Sequence, residues 1–333
     1  MKVTNPKLPK VAILATGGTI AGKAASSTAT TGYVPGSATV ADIVDSVPAL
    51  AEIAEIVTEQ VSNIGSEDMT DDIWEKLSEI SQKYLDDDSI AGVVITHGTD
   101  TLEETGFLLN LVLSSDKPVI LVGSMRPATA ISADGPMNII EAVKVAVCPE
   151  AKGKGVLAVM NDEIHGLRDV TKTNTTNVDT FQSRLFGALG MITGGTPYFF
   201  KQSVKPHTTQ TEFSLQDVKD LPRVDIIYAH ANQDSTLIDA AVAAGAKGIV
   251  YAGMGNGSIH KNAFSGLESA ANKGVLVVRS SRTGSGLVVD SNSEWQNFIN
   301  AGSLNPQKAR VLLQLALKKT SDLEEARRIF ETY

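Results

Sequence analysis

Residues 11–22 read VAILATGGTIAG, a continuous apolar run that passes straight into a threonine, two glycines and a second threonine. A strand with one buried face alternates apolar and polar residues. An unbroken apolar run bounded by turn residues instead marks a strand covered on both faces, as in a parallel sheet layered with helices. The same pattern recurs along the chain at Lys10–Ala15, Ala91–Ile95, Pro118–Val122, Gly155–Met160, Val224–Ala229, Gly248–Ala252 and Gly274–Val278. Between these runs lie stretches of helical period: Val40–Ile56, Asp71–Tyr84, Thr101–Leu113, Met137–Val147, Ser235–Ala244, Gly266–Asn272 and Asn305–Tyr333. Strand–helix alternation predicts a doubly wound α/β fold. Lys201–Arg223 carries neither period over most of its length. The chain therefore divides into a larger N-terminal α/β domain at 1–200, a linker at 201–223 and a smaller C-terminal parallel α/β domain at 224–333.

Composition narrows the function. A chain of 333 residues, 42% hydrophobic, buries enough surface to need neither disulfides nor a structural metal. The net charge of −9, without a basic run, argues against nucleic acid as a partner. No apolar stretch reaches the ~18 residues of a membrane span. The N-terminus MKVTNPKLPK lacks the apolar core of a signal peptide, so the sequence as it stands reads as cytoplasmic, or as periplasmic or secreted if a signal was removed. The single cysteine, Cys148, reads as a small buried residue in a helical stretch.

In open parallel sheets, ligands bind beyond the carboxyl ends of the strands. Those ends carry TGGTIAG, THGTDTLEET, GSMRPATAISADGPMN and NDEIHGLRDVTKTN, and in the second half GMGNGS and RSSRTGSG. TGGTIAG fails the dinucleotide fingerprint, because Thr19 stands where the third position requires glycine. The glycines instead leave the Thr19 hydroxyl uncrowded, although Thr16 and Thr19 can equally serve a turn. In THGTDTLEET, Asp100 either caps the following helix with Glu103 or, with Thr99, offers a hydroxyl and a carboxylate to a substrate. His97 beside them suggests acid–base work, but the five histidines lack metal-ligand spacing. There is no Gly-x-Ser-x-Gly elbow, and Ser114–Lys117 (SSDK) lacks the partner motifs of a lactamase.

Together ILATGGTIAG, VITHGTDTLEET, MRPATAISADGPMN, TKTNTT, GMGNG, RSSR and LNPQKARVLL resemble the bacterial type II L-asparaginase family, including its glutaminase-asparaginases, from about residue 10 to the C-terminal IFETY. The resemblance implies a flavodoxin-like, mixed or parallel N-terminal sheet. It also implies cofactor-free and metal-free hydrolysis of L-asparagine to L-aspartate and ammonia, in a homotetramer built as a dimer of dimers. Each site would lie between the N-terminal domain of one subunit and the C-terminal domain of another.

By position in the family's motifs, Thr19 is the nucleophile and Tyr33, in TTGYVPG, its proton acceptor. Thr99, Asp100 and Lys172 form a second catalytic group. Gly18, Ser66, Glu67, Gly98, Thr99, Asp100, Ser124 and Asn256 bind substrate, the last from the neighbouring subunit. The acidic partner of Tyr33 is Glu294, or Asp290 if the divergent segment aligns with a different gap. Glu67 stands where the family often has Gln, which implies glutaminase side activity. Ser124 stands where Ala is commoner and adds a hydroxyl near the substrate amide. A type I-like relative, an aminoacyl-tRNA transamidase and a non-catalytic amino-acid binder are the competing readings. The acidic, compact chain argues against the transamidase, and the intact Thr19, Thr99, Asp100 and Lys172 argue against the binder.

Overall fold

The structure, a computed structural model, describes residues 8–22, 26–28, 39–290 and 292–333. Two compact units emerge, Met1–Leu215 and Gln216–Tyr333. In the first, β1 (Lys10–Gly17) is followed by α1 (Val40–Asp45), β2 (Glu55–Ile64), α2 (Asp71–Leu85), β3 (Ile90–Thr96), α3 (Leu102–Val112), β4 (Val119–Val122), α4 (Gly135–Ala146) and β5 (Val156–Met160). The short strands β6 (Glu163–Gly166), β7 (Thr171–Lys172), β8 (Phe181–Gln182), β9 (Gly190–Thr193) and β10 (Thr196–Phe199) complete it.

The eight-stranded sheet runs β10-β9-β6-β5-β4-β3-β1-β2, parallel from β2 to β5 and antiparallel beyond. Its parallel half has the 2-1-3-4-5 order of flavodoxin-like sheets, whose order reverses between β1 and β3. The continuous apolar run explains the layering. Val11, Ile13 and Ala15 enter the core under α1 and α4, while Ala12 and Leu14 enter the one under α2 and α3, all fully or nearly fully buried. Burying one such aliphatic side chain contributes roughly 1.5–3 kcal/mol.

In the second unit, β11 (Val224–Tyr228), α5 (Thr236–Ala243), β12 (Gly248–Gly253), α6 (Lys261–Asn272), β13 (Leu276–Ser281), β14 (Ile299–Asn300), α7 (Pro306–Lys319) and α8 (Leu323–Thr332) follow in order. The four strands form a parallel sheet in the order β11-β12-β13-β14.

Several expectations change. The predicted helix Val40–Ile56 ends at Asp45, because Pro48 drives Val47 out of helical backbone and opens a 3-10 turn over Pro48–Glu52. Its last residues already belong to β2, an edge strand whose partly exposed pattern hid it from a search for unbroken apolar runs. The terminal helix is two helices, broken where Thr320 turns extended and Asp322 caps α8 by accepting from the Glu325 N–H.

The stretch 201–223 does not stand free. Thr209 and Thr211 donate to Asp116 and to the Leu111 carbonyl in the first unit. Farther along, Lys318 and Gln314 donate to the carbonyls of Lys219 and Pro222 in the second. Cys148 lies past the end of α4, half-buried, with its thiol donating to Glu150. No helix among the described residues is long and apolar enough to cross a membrane.

Candidate active site

The carboxyl ends of β1 and β3 flank the point where strand order reverses, the position at which such sheets leave a crevice. Both ends carry the predicted threonines. At the end of β1, Gly17 and the following Gly18 hold φ of 111° and 82°, a left-handed region that side chains disfavour. A Cβ on Gly18 would fall onto the backbone of Gly98, so the ends of β1 and β3 touch through two glycines. The turn is fixed by the Gly18 N–H donating to the Ile64 carbonyl at 2.8 Å. Thr19 then opens a 3-10 turn, Thr19–Ala21, and is 6% exposed.

At the β3 end, His97 is wholly buried and its Nδ1 lies 2.7 Å from the Gly98 carbonyl oxygen. A carbonyl only accepts, so Nδ1 carries the hydrogen. Burial drives the His97 pKa down to about 4, and the ring is neutral at ordinary pH. It braces the Gly98 peptide and has no charge to offer as an acid.

Gly98 also makes room for Ser66, whose Oγ would lie 2.6 Å from a Cβ placed there. Ser66 Oγ accepts the Asp100 N–H at 3.1 Å, and its carbonyl accepts the Thr101 hydroxyl at 2.8 Å. These bonds tie the Ser66–Asp68 turn after β2 to the end of β3. Glu67 follows on the exposed side, its carboxylate folded over Gly65.

Lys172, on β7, reaches into this junction. Its Nζ donates to Thr99 Oγ1 at 2.8 Å and to Asp100 Oδ1 at 2.6 Å. The lysine side chain is 17% exposed and the aspartate 59%, so the pair is closed on the lysine side and open at the carboxylate. The helix-capping alternative for Asp100 does not hold. Thr101 occupies the cap position of α3, and the Asp100 carboxylate is committed to Lys172.

Ser124 is fully buried, with its hydroxyl donating to the Arg126 carbonyl at 2.8 Å. The adjoining Gly123 abuts Thr99, where a Cβ would lie 3.0 Å from Thr99 Cγ2. The sequence did not single out the residues that fix this loop. Asp134 accepts the backbone N–H groups of Met125 and Arg126, each at 2.9 Å, and Asn138 donates to the Gly123 carbonyl at 3.0 Å. Their only signal was membership of ATAISADGPMN.

Gly18, Thr19, Ser66, Gly98, Thr99, Asp100 and Lys172 are thus joined in one constellation, with Glu67 and Ser124 on its adjoining turns. Tyr33 lies outside the described residues. Asn256, Asp290 and Glu294 belong to the other unit. There the Asn256 side chain accepts the Val289 N–H at 2.9 Å and donates to its carbonyl at 3.3 Å. Asp290 accepts Asn300 Nδ2 at 2.6 Å. Glu294 is exposed, and its backbone N–H donates to Asn292. Among the described residues, no group of three or more His, Cys, Asp or Glu can hold a metal ion.

Comparison with known proteins agrees with this fold. The family described as Asparaginase, N-terminal matches residues 10–205, and the Glutaminase/Asparaginase C-terminal domain matches 223–330. L-asparaginase 2 of Bacillus subtilis (strain 168) is 52% identical over 328 residues, covering 98% of this chain and 87% of its own. The glutaminase-asparaginase of Pseudomonas fluorescens biotype A is 43% identical over 334 residues, covering 99% and 92%. A solved structure named probable cytoplasmic L-asparaginase, from Campylobacter jejuni, superposes with a TM-score of 0.95 at 48% identity, covering 97% of this chain and 99% of that one. With both domains matched and the paired threonines at the switch point, the chain belongs to the asparaginase family.

Proposed function

We propose that the protein hydrolyses L-asparagine to L-aspartate and ammonia through an ester on Thr19, with L-glutamine as a second substrate. The observation that carries this is the junction at the switch point. One ammonium, Lys172, bonds both the Thr99 hydroxyl and the Asp100 carboxylate, while Thr19 leaves the adjoining strand on a glycine backed against Gly98. The oxygen of Thr19 attacks the side-chain amide carbon, and its proton passes to the base, the role taken by Tyr33. The C–N bond breaks and nitrogen leaves as ammonia, carrying that proton. Water then adds to the ester carbon, the ester bond breaks, and a proton returns to Thr19 as aspartate departs. Lys172 stabilises negative charge that develops on Thr99 or on a water held there.

The substrate's polar groups find matching partners. Asp100 spends Oδ1 on Lys172, and its exposed second oxygen, with Glu67, suits the α-ammonium group. Ser66 accepts from the Asp100 N–H and keeps its own hydrogen for the α-carboxylate. Asn256 and an acidic residue would come from the C-terminal domain of a neighbouring copy in a homotetramer. Asp290 and Glu294 both stand exposed, but the Asp290 carboxylate is anchored by Asn300, so Asp290 becomes the stronger candidate for the acid. For compartment we propose the cytoplasm, on the likeness to the Campylobacter protein so named.

Ammonia release from each amide, measured on wild type and Thr19→Ala, tests the proposal. Wild type should release ammonia from both, with kcat/KM for glutamine within about 200-fold of that for asparagine, the range one methylene commands. Thr19→Ala should release none yet still bind aspartate. An active Thr19→Ala enzyme would refute the ester. A wild type that binds aspartate but leaves asparagine intact would make the protein a binder.

A further inference from the structure

Arg279 is among the largest fully buried side chains of the described residues. It stands on β13 in the C-terminal unit, facing three neighbouring segments. Nη2 donates to the Asn256 carbonyl at 2.9 Å and Nε to the Gly257 carbonyl at 3.3 Å. Nη1 donates to Asn300 Oδ1 at 2.9 Å, and Asn300 passes the contact on through Nδ2 to Asp290 at 2.6 Å. The guanidinium carbon lies 4.1 Å from the centre of the Trp295 ring. Asn256 is bonded at both ends of its amide to the Val289 backbone. One cation thus touches the turn carrying Asn256 directly and the carboxylate of Asp290 through a single amide.

Stability alone does not account for this arrangement. Among the described residues Arg279 forms no direct ion pair, and a buried charge without one is expensive compared with a hydrophobic side chain of similar volume. What guanidinium offers is a rigid planar fork that bonds several acceptors in fixed directions, which neither methionine nor lysine reproduces. Reactive groups held on loops need such support behind them.

We propose that Arg279 is a positioning residue for the substrate pocket, locking the Met254–Ser258 turn to the Val288–Asp290 strap so that Asn256 and Asp290 are presented in a fixed relation. This rests on the reading of Asn256 and Asp290 as pocket residues.

The test compares Arg279→Met, Arg279→Lys, Asn300→Ala, Asn256→Ala, Asp290→Ala and the double variant Arg279→Met/Asn256→Ala, in kcat and KM for asparagine and in thermal unfolding. Arg279→Met should fold cooperatively and lose about tenfold or more in kcat/KM, with Arg279→Lys failing to rescue it. Asn256→Ala should cost clearly less in the Arg279→Met background than in wild type, since its turn is already released. Asn300→Ala removes both the Arg279 Nη1 bond and the tie to Asp290 but leaves the Arg279 bonds to the Asn256 turn, and should lower kcat while leaving KM close to wild type.

Wild-type kinetics in folded Arg279→Met, or losses that simply multiply in the double variant, overturn the proposal. Should Arg279→Met fail to fold, Asn300→Ala decides, and an unchanged kcat there overturns it too. If Asn256→Ala and Asp290→Ala are themselves fully active, the pocket reading has failed first. If they are damaged and Arg279 variants are not, only the role of Arg279 has failed.

Discussion

Gly18 shows how one residue without a side chain can decide the chemistry of its neighbour. Its φ of 82° with ψ of −171° lies in backbone territory reserved for glycine, where another residue costs about 1–3 kcal/mol. Its missing Cβ is also the space into which the Gly98 backbone fits. Gly18→Ala therefore has to push apart the ends of β1 and β3, and with them Thr19 and Thr99. We expect the variant to fold with a lowered unfolding midpoint, and to lose kcat/KM by about a hundredfold or more even where it is fully folded, because misplacing reacting atoms by about 1 Å costs that much. Circular dichroism melts paired with ammonia-release kinetics check this. Near-normal activity in the folded variant would show that the glycine contact does not set the separation of the threonines.

At the scale of elements, α4 joins the site to the β5–β6 turn, where the antiparallel strands begin. Its Asp134 and Asn138 hold the Gly123–Arg126 loop beside Thr99, and Asn138 also accepts the Asn161 N–H in the β5–β6 turn at 3.1 Å. One turn farther along the helix, Glu141 is buried against Asp162 of that same turn. Burial foremost, then the hydrogen bond to the Asp162 carboxylate, raises its pKa from 4.5 to about 7, opposed by the hydrogen bond from the Asp162 backbone and by Lys144. A carboxyl group raised in the folded state binds its proton more tightly there than in the unfolded chain. Its contribution is therefore intact below about pH 4.5 and declines as pH rises towards 7, by an amount on the order of a few kcal/mol. Glu141→Gln keeps a donor for Asp162 without the titration. The stability of the Gln variant relative to wild type should rise between pH 5 and 8. Urea midpoints across that range measure it, and a difference independent of pH would refute a protonated Glu141.

The sequence revealed these elements unevenly, for physical reasons. The central parallel strands were legible because burial on both faces leaves an unbroken apolar run, as in Val11–Ala15. The edge strand β2 and the four-residue strands β6, β9 and β10 are half-exposed or too short to make one. The paired αL residues Asn161 and Asp162, with φ of 54° and 62°, turn β5 back on itself in a hairpin whose only local cue was an Asn-Asp dipeptide. Among site residues, Thr19 and Thr99 stood out because a hydroxyl at a glycine-rich strand end is unusual. Lys172 did not, since most lysines are solvated, and only the fold brings β7 to the end of β3. Arg279 was visible only as the first residue of RSSR, with nothing to mark its role, because the groups it binds are mostly backbone carbonyls contributed by distant turns.

For the whole molecule, the proposed chemistry requires two chains, and this can be tested without a structure of the assembly. If each pocket combines Thr19 of one subunit with Asn256 of another, then Thr19→Ala and Asn256→Ala damage different halves of it. In a mixed pair, one pocket joins both altered residues and is dead. The other joins intact Thr19 with intact Asn256 and is whole. Random pairing of equal amounts makes half of the pairs mixed, and half of their pockets are repaired, so about a quarter of wild-type activity should return. Co-expressing differently tagged variants and purifying through both tags enriches the mixed species, which raises the recovered fraction towards about a half. Each parent variant alone supplies the baseline. If the mixed species shows only the sum of its parents, both residues serve one chain's own pocket, and a shared site is excluded. Recovery at the predicted fraction would tie catalysis to assembly, so dilution below the dissociation constant should lower activity per chain along with the fraction assembled.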